Sequence, residues 1–257
     1  MEVHHHSHTA DPGLQRGKKK WTHYFWEFLM LFLAVFCGFL AEYKLEHTIE
    51  HQREKQYAGT LYADVKADTT ALMNAITANL FVTSRIDTFR TLVQTQSINS
   101  IPAGNWYYYG RFGTRYFHIP FQDATIEQLK SSGGLRYFRS HDVVKAIARY
   151  DQTRRDLQIL LKFQDPFYSE LVKSRNIVFN AYYLDELMDF DRSAVNIDSF
   201  KLRSIPLLSN KKEDFIQYAN FCQIRSYNNK YLLRSEQEAL KHAEILLAEL
   251  KDKYNFK

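Results

Sequence analysis

The apolar residues of this chain follow two patterns, one continuous and one periodic. The continuous run covers residues 21–41, WTHYFWEFLMLFLAVFCGFLA, and Glu27 is its single formally charged side chain. A helix of this length spans about 32 Å, close to the hydrocarbon thickness of a bilayer. A buried core helix is rarely apolar on every face. The run therefore predicts a single transmembrane helix.

Charged residues flank this run unevenly. Basic side chains crowd the positions before it, at Arg16, Lys18, Lys19 and Lys20, whereas basic and acidic side chains alternate after it. Because basic segments stay in the cytoplasm, this bias predicts a cytoplasmic N-terminus and an exported C-terminal domain. Residues 1–20 are predicted to be a disordered cytoplasmic tail. Small residues at signal-peptidase spacing are missing before Ala41, so we expect the helix to remain as an anchor.

Glu27 is the unusual residue of the predicted membrane helix, because a carboxylate in hydrocarbon is costly unless it is neutral, paired or turned towards a partner. His23 lies four residues earlier on the same face and can pair with it. In one interpretation Glu27 reaches back to the headgroups. We favour helix association, since Ala34 and Gly38 form a small-xxx-small pair that permits close backbone approach. The predicted interface consists of Glu27, Leu31, Ala34, Gly38 and Ala41.

Beyond Glu42 the apolar positions become periodic, at spacings of three and four residues that indicate amphipathic helices. Residues 42–56 are a predicted juxtamembrane helical stalk. The stalk is expected to run into a long helix, with Gly59 as a candidate joint, that ends near Ser97. Residues 57–257 are the predicted helical bundle domain.

Residues 97–123 interrupt the periodic pattern with prolines and glycines and are rich in aromatic side chains. One interpretation is a loop whose rings close the end of the bundle, since a long ordered loop must bury something. The other is a recognition surface, on which rings and guanidinium groups stack against a ligand or partner. The candidate recognition residues are Trp106, Tyr107, Tyr108, Tyr109, Arg111 and Arg115.

Helix-start signals resume after this segment. They are the capping-box pair Thr125 and Gln128, then Ser140, then Asp165 with Pro166, and finally Asn210 with Glu213. The last helix is expected to reach almost to the C-terminus. Four long helices without a strand pattern predict an all-α fold, with a single N-terminal transmembrane helix, a helical stalk and an antiparallel helical bundle.

Composition narrows the classes of partner. The net charge is +5, and much of it precedes the predicted membrane helix, where anionic headgroups account for it. We therefore expect membrane lipid as a partner and no nucleic acid. Cys37 lies in the membrane run and Cys222 far beyond it, which excludes an intradomain disulfide. No cofactor is expected.

One stretch matches a metalloenzyme motif. Residues 47–51, HTIEH, fit H-x-x-E-H, in which two histidines bind zinc and the glutamate acts as a base. The motif lies on the polar stalk, and nothing in the sequence selects a third ligand among His118, His141 and His242. We favour solvated stalk histidines and predict no metal site, with a zinc-dependent hydrolase as the weakest alternative.

Two stretches carry a resemblance to known sequences. The run KKWTHYFWEFLMLFLAVFCGFLAEY, with histidines before it and LEHTIEHQREKQY after it, resembles uncharacterised single-pass membrane proteins of Bacteroidota-type bacteria. The later LKSSGGLRYFRSHDVVKAIARYD is similar to their helical domain. The resemblance implies an inner-membrane location and a helical exported domain, and it carries over no mechanism or site residue.

Two functions are consistent with these patterns. The first is a non-enzymatic accessory or scaffold protein that forms a homo-oligomer or docks on a larger membrane complex. The second is an extracytoplasmic ligand-sensing bundle with the aromatic segment as its site. A bundle sensor needs a second membrane pass or an inner signalling domain, and the short N-terminal tail supplies neither. We therefore expect the first function.

Overall fold

The computed structural model describes residues 21–163, 165–188 and 195–256 and contains no β-strand among them, which confirms the predicted all-α class. Three short 3-10 helices, at Ile98–Ser100, Arg111–Thr114 and Gly134–Tyr137, lie between the α-helices. The α-helices are α1 (Trp21–Thr95), α2 (Ala103–Gly110), α3 (Ala124–Ser131), α4 (His141–Lys162), α5 (Asp165–Val178), α6 (Ala181–Met188), α7 (Ile197–Lys201) and α8 (Lys212–Tyr254).

The chain divides into two compact units, Met1–Gln52 and Arg53–Lys257. The described part of the first unit is the N-terminal portion of α1. Its large apolar side chains are exposed, from Trp21 at 82% to Phe39 at 63%. An 18-residue window of α1 has a mean hydropathy of 2.0, and none of that window is buried. By length and composition this helix is a candidate membrane span.

Helix α1 passes through Gly59 without interruption, so no joint forms there, and it ends at Thr95 close to the predicted end. The second unit begins at Arg53, slightly before the predicted boundary at residue 57. Glu54 lies just inside this boundary, and its Oε1 atom accepts hydrogen bonds from the Arg139 amide at 3.1 Å and from Tyr254 Oη at 2.6 Å. The last turn of the predicted stalk therefore belongs to the bundle.

Helix α8 runs antiparallel to the portion of α1 that lies in the second unit. Tyr254 near the end of α8 bonds to Glu54, whereas Ser226 in its first half bonds to Asp87 at 2.7 Å. Between these contacts the Asn79 amide donates to the Asn229 carbonyl oxygen at 3.1 Å. The residue numbers of the bonded pairs increase along α1 while they decrease along α8, so the two helices are antiparallel.

Helices α4 and α5 follow one another in the same direction as α1. Arg139, just before α4, bonds to Glu54, and Tyr150 in the middle of α4 donates to Asp68 Oδ2 at 2.5 Å. Helix α5 continues along α8, where Phe179 packs against Tyr218 with 6.0 Å between ring centroids. The bundle thus has three long helical rods: α1, α4 with α5, and α8.

The fourth rod is irregular and is additional to the four predicted helices, of which the one that starts at Asp165 divides into α5 and α6. Residues 97–140 return along α1 in the opposite direction, in short helical and extended pieces. Phe112 packs on Phe81, the Gln122 amide donates to Asp68, and Thr125 donates to Asp64. The prolines and glycines of this segment prevent a long helix, so buried contacts rather than helical periodicity hold it in place.

Two glycines allow the irregular rod to approach its neighbours closely. A Cβ atom at Gly104 would lie 2.0 Å from the carbonyl oxygen of Phe200, and one at Gly113 would lie 2.3 Å from Tyr218 Oη. Gly133 has a φ of +66°, the left-handed conformation that ends α3 where the SGG sequence predicts a stop. These positions therefore require glycine for steric or backbone reasons.

The bundle buries two apolar clusters. The larger cluster is built around Leu72, Phe89, Trp106, Phe179 and Phe215, all at most 1% exposed. The smaller cluster is built around Leu61, Ile126, Val143, Tyr150 and Leu246, also at most 1% exposed. The first lies around the irregular rod, α5 and the start of α8, and the second around α3, the start of α4 and the end of α8.

Candidate functional site

The predicted membrane-helix interface is fully available on α1. Leu31 is 71% exposed, and a Cβ atom built on Gly38 meets nothing within 4 Å. Ala34 and Ala41 are exposed as well. The structure therefore leaves room for another helix to approach this face closely, which a small-xxx-small pair permits.

Glu27 has the neighbour that the sequence suggests. His23 Nε2 lies 3.3 Å from Glu27 Oε1, one turn away on the same helix, and both side chains are 51% exposed. This contact gives the carboxylate one polar partner. The rest of the Glu27 face consists of small and apolar side chains, so the pair is the polar element of the predicted interface.

The aromatic segment places three of its candidate recognition residues inside the bundle. Trp106 and Tyr107 are 0% exposed and Tyr108 is 6% exposed. The Trp106 indole donates to the Ile98 carbonyl oxygen at 3.0 Å, and Tyr107 Oη donates to the Pro206 carbonyl oxygen at 2.7 Å. Burial raises the pKa of Tyr107. These rings fill the core, as the first interpretation of the segment expected.

The other candidate recognition residues retain accessible surface. Arg111 donates to the Leu187 carbonyl oxygen, and its guanidinium group lies 5.0 Å from the centre of the Tyr108 ring. Tyr109 is half-buried and Arg115 is exposed. Recognition by this segment stays a prediction, and any direct contact with a ligand falls to these three side chains.

The HTIEH stretch lies on an exposed part of α1. His47 Nδ1 is 3.7 Å from Glu50 Oε2, and the Tyr43 ring meets the His47 ring edge-on at 4.5 Å. Residues 21–163, 165–188 and 195–256 contain no group of three His, Cys, Asp or Glu side chains arranged to hold a metal ion.

A buried ionic cluster joins α1, the irregular rod and α4. Arg154 is 2% exposed and pairs with Asp123 and with Asp151 Oδ1, the latter at 3.1 Å. Asp68 accepts hydrogen bonds from Tyr150 and from the Gln122 amide. Burial raises the pKa of Asp68, whereas the hydrogen bonds oppose that rise. These contacts link α1, the irregular rod and α4 through polar side chains.

A second buried polar group lies between α1 and α8. Glu236 is 0% exposed, and its Oε2 accepts a hydrogen bond from Asn79 Nδ2 at 3.1 Å. Asn79 Oδ1 accepts from Thr83 Oγ1 at 3.1 Å. Burial raises the pKa of Glu236 to about 7. This carboxyl group therefore titrates near neutral pH inside the bundle.

Sequence reasoning missed both buried polar groups, because charged residues on a helix usually face solvent. The one signal in the sequence was the position of each acidic residue among the apolar residues of its helix. Asp68 follows Val65 and precedes Leu72 on the buried stripe of α1, and Glu236 falls between Leu232 and Ala239 on that of α8. An acidic residue in register with buried apolar residues indicates an internal polar contact.

One cleft lies on the surface between α5 and α8. It is a shallow depression with a cavity volume of about 10 Å³, lined by Phe167, Leu171, Phe221, Ile224, Arg225 and Asn228. Ligand pockets usually enclose about 300–1,000 Å³. The cleft is therefore small for a ligand-sensing site.

Comparison with known proteins gives no match: no protein-family model, no curated protein and no solved structure matches this chain. The resemblance to Bacteroidota-type membrane proteins accordingly stays a prediction.

Proposed function

We propose that the protein is a non-enzymatic, membrane-anchored accessory or scaffold protein that associates through its membrane helix. The associating face is Glu27, Leu31, Ala34, Gly38 and Ala41, and its partner is a second copy or a helix of a larger membrane complex. The observation that carries this proposal is the open space at Gly38, next to apolar side chains that the first unit leaves uncovered.

In this proposal a partner helix contacts one face of the membrane helix, and lipid contacts the remaining faces. Lipid covers apolar side chains as well as another helix does, so apolarity alone does not bring helices together. Close backbone packing at Ala34 and Gly38 does, and the half-exposed Glu27 and His23 pair adds polar contacts that lipid cannot supply. The same face therefore supplies both the reason for association and its specificity.

The proposed orientation at a bacterial inner membrane places the N-terminus in the cytoplasm and residues 42–257 in the periplasm. The basic residues before Trp21 support it, because such residues resist export. A reporter that is active only after export, fused after Lys257, should be active, and a reporter that works only in the cytoplasm should be silent. Activity of the cytoplasmic reporter alone contradicts the proposed orientation.

Three substitutions test association. Gly38→Leu forces the backbones apart and should abolish most crosslinking or two-hybrid signal in the membrane. Glu27→Leu removes only a polar contact worth about 1 kcal/mol and should weaken the signal less. Leu33→Phe enlarges a side chain on a different face and serves as the control, because Leu33 is also exposed.

The ranking of these variants decides the outcome. We expect Gly38→Leu to reduce association most, Glu27→Leu to reduce it moderately and Leu33→Phe to leave it unchanged. Equal signals from all three variants, at equal levels of protein in the membrane, would show that the helix serves only as an anchor.

A further inference from the structure

Two polar side chains in the core of the bundle have atoms without a hydrogen-bond partner on the protein. Asn229 is 0% exposed, and neither its Nδ2 nor its Oδ1 atom is paired with any residue of 21–163, 165–188 and 195–256. Glu236 is also 0% exposed, and its Oε1 atom has no donor within the same ranges. Buried polar atoms are almost always hydrogen-bonded, so this group of atoms requires an explanation.

One asparagine of α1 contacts both residues. Asn79 Nδ2 donates to the Asn229 carbonyl oxygen and to Glu236 Oε2, each at 3.1 Å. Both donors of this amide are therefore in use, and its oxygen accepts from Thr83. Asn229 and Glu236 are about two turns apart on α8, so they share the face that packs on α1. The unpartnered atoms therefore lie close together, between the two helices.

The surroundings of these atoms are apolar. Burial and the hydrogen bond from Asn79 determine the pKa of Glu236, and no charged side chain of the described residues contributes to it. The adjacent buried positions, Ala75 on α1 and Leu232 and Ala239 on α8, belong to the larger apolar cluster. Two of these are alanines, whose short side chains occupy less volume beside the polar groups than leucines would.

The unpartnered atoms select the chemistry of a ligand. The Asn229 amide presents donors and an acceptor, and Glu236 presents an acceptor when it is ionised and a donor when it is protonated. Burial raises the pKa of Glu236 to about 7, so both forms occur near neutral pH. A metal cation would leave the Asn229 donors unpaired, and the ionised carboxylate would repel an anion. Water both donates and accepts, so it can pair with every one of these atoms.

We propose that Asn229 and Glu236, with Asn79 as their common contact, bind ordered internal water between α1 and α8. A buried water molecule typically makes about three hydrogen bonds to polar groups that would otherwise be unpaired. The bound water supplies the partners that the apolar cluster cannot, and it joins the polar groups of α8 within the interface with α1. This internal site is independent of association through the membrane helix.

The water molecules can be counted in the full-length protein in mild nonionic detergent. Magnetic relaxation dispersion of the water signal detects molecules that stay inside a protein for longer than the protein takes to tumble. The probe is therefore water itself. Thermal melts of each variant, recorded in the same detergent, show that the variant is folded.

The site variant is Asn229→Leu combined with Glu236→Met, which replaces the polar groups by apolar side chains of similar size. Asn229→Leu alone is a second variant. Glu236→Gln is the conservative variant, because its amide still donates and accepts hydrogen bonds. Asn220→Leu is the matched control, since Asn220 is an exposed asparagine of α8.

We expect Glu236→Gln and Asn220→Leu to retain the long-lived water of the unmodified protein, and the site variant to lose at least one molecule. Asn229→Leu alone should also lose water, and it decides the question if the combined variant does not fold. The proposal is wrong if the unmodified protein holds no long-lived water, if the folded site variants keep it, or if Asn220→Leu loses as much.

A high-resolution experimental structure of the unmodified protein gives a second readout that needs no substitution. Ordered water within hydrogen-bonding distance of the Asn229 side chain and of Glu236 Oε1 supports the proposal. A dry interface at these atoms, at a resolution that shows other internal water, contradicts it.

Discussion

Neighbouring phenylalanines are exposed in the first unit of this protein and buried in the second. Phe32 and Phe36 of the first unit stack on each other yet are 52% and 45% exposed. Phe89 and Phe179 of the second unit are also neighbours, with centroids 6.2 Å apart, and are 0% and 1% exposed. Other protein side chains cover the apolar residues of the bundle. Those of the first unit are not covered by protein and need lipid or a partner helix to cover them.

This difference determines what a substitution should change. In the bundle, a lost side chain leaves a cavity and lowers the free energy of unfolding. In a helix surrounded by lipid, the same loss removes little stability, because lipid fills the space. Matched substitutions in the two units therefore test whether their apolar side chains contribute differently to the free energy of unfolding.

The largest expected effect belongs to Trp106, which is buried and hydrogen-bonded in the larger apolar cluster. Trp106→Ala should lower the free energy of unfolding by about 3–5 kcal/mol, through lost burial and a cavity. Chemical denaturation of the detergent-solubilised protein, followed by circular dichroism, measures the change. Phe32→Ala is the control and should leave the bundle transition in place; an equal loss from both substitutions contradicts the comparison.

The next effect concerns pH and Glu236. Its pKa in the folded protein is raised to about 7 from an ordinary value of 4.5, so the folded state holds the proton more tightly than the unfolded chain. The stabilising contribution is complete below the ordinary pKa and is lost as the pH rises through about 7. The bundle should therefore unfold more readily at pH 8 than at pH 5.5.

Glu236→Gln keeps the size of the side chain and cannot ionise. It should flatten this part of the pH dependence and stabilise the bundle at pH 8 by about 1–3 kcal/mol. Melts at both pH values measure the change. Glu249→Gln, at a partly exposed position of α8, is the control. An unchanged pH profile in Glu236→Gln would show that the carboxyl group does not titrate in this range.

A smaller effect is expected at the start of α4. The Ser140 side chain accepts a hydrogen bond from the Val143 amide, as the sequence predicted. Ser140→Ala should cost about 1 kcal/mol of stability. Ser97→Ala is a matched control, because Ser97 precedes a 3-10 helix without a side-chain cap. Equal losses from the two variants would remove any role for the cap.

The smallest expected effect is that of metal removal. The described residues offer no cluster of metal ligands, and the bundle has its own apolar core. A chelator should leave the thermal melt of the full chain unchanged, whereas a structural zinc site would couple folding to metal. A clear drop in melting temperature, restored by zinc, would revive the hypothesis for His47 and His51.

The regular helices were predictable because each carries its own signals. The long apolar stripe predicts α1 as far as Thr95, Ser140 marks the start of α4, and α8 extends to Tyr254 as its periodic leucines indicate. Local pattern was enough in these cases, since helix periodicity and capping are short-range properties.

The irregular rod and the polar contacts were not predictable in this way. Thr125 and Gln128 match the pattern of a capping box. In the structure, however, the Thr125 hydroxyl donates to Asp64 on α1 and does not cap α3. The α2 sequence, AGNWYYYG, has little helical periodicity, and buried contacts of its rings hold it in place. Such features depend on residues distant in the sequence, so no local pattern reveals them.

The two native cysteines allow the most direct test of the claim that lipid covers residues 21–41. Cys37 is exposed on the protein and lies in the apolar run, whereas Cys222 is 1% exposed, and burial raises the pKa of its thiol to about 12. A membrane-impermeant maleimide, applied to membranes opened on both sides, should label neither cysteine, because the reagent attacks an accessible thiolate.

The exposed position Asn220→Cys on α8 supplies the positive control and should be labelled readily. After denaturation in sodium dodecyl sulfate, both native cysteines should react. The account predicts protection of Cys37 in the membrane and its labelling on denaturation. Labelling of Cys37 in the opened membranes, to the same extent as the Asn220→Cys control, would place this helix in water and contradict the account.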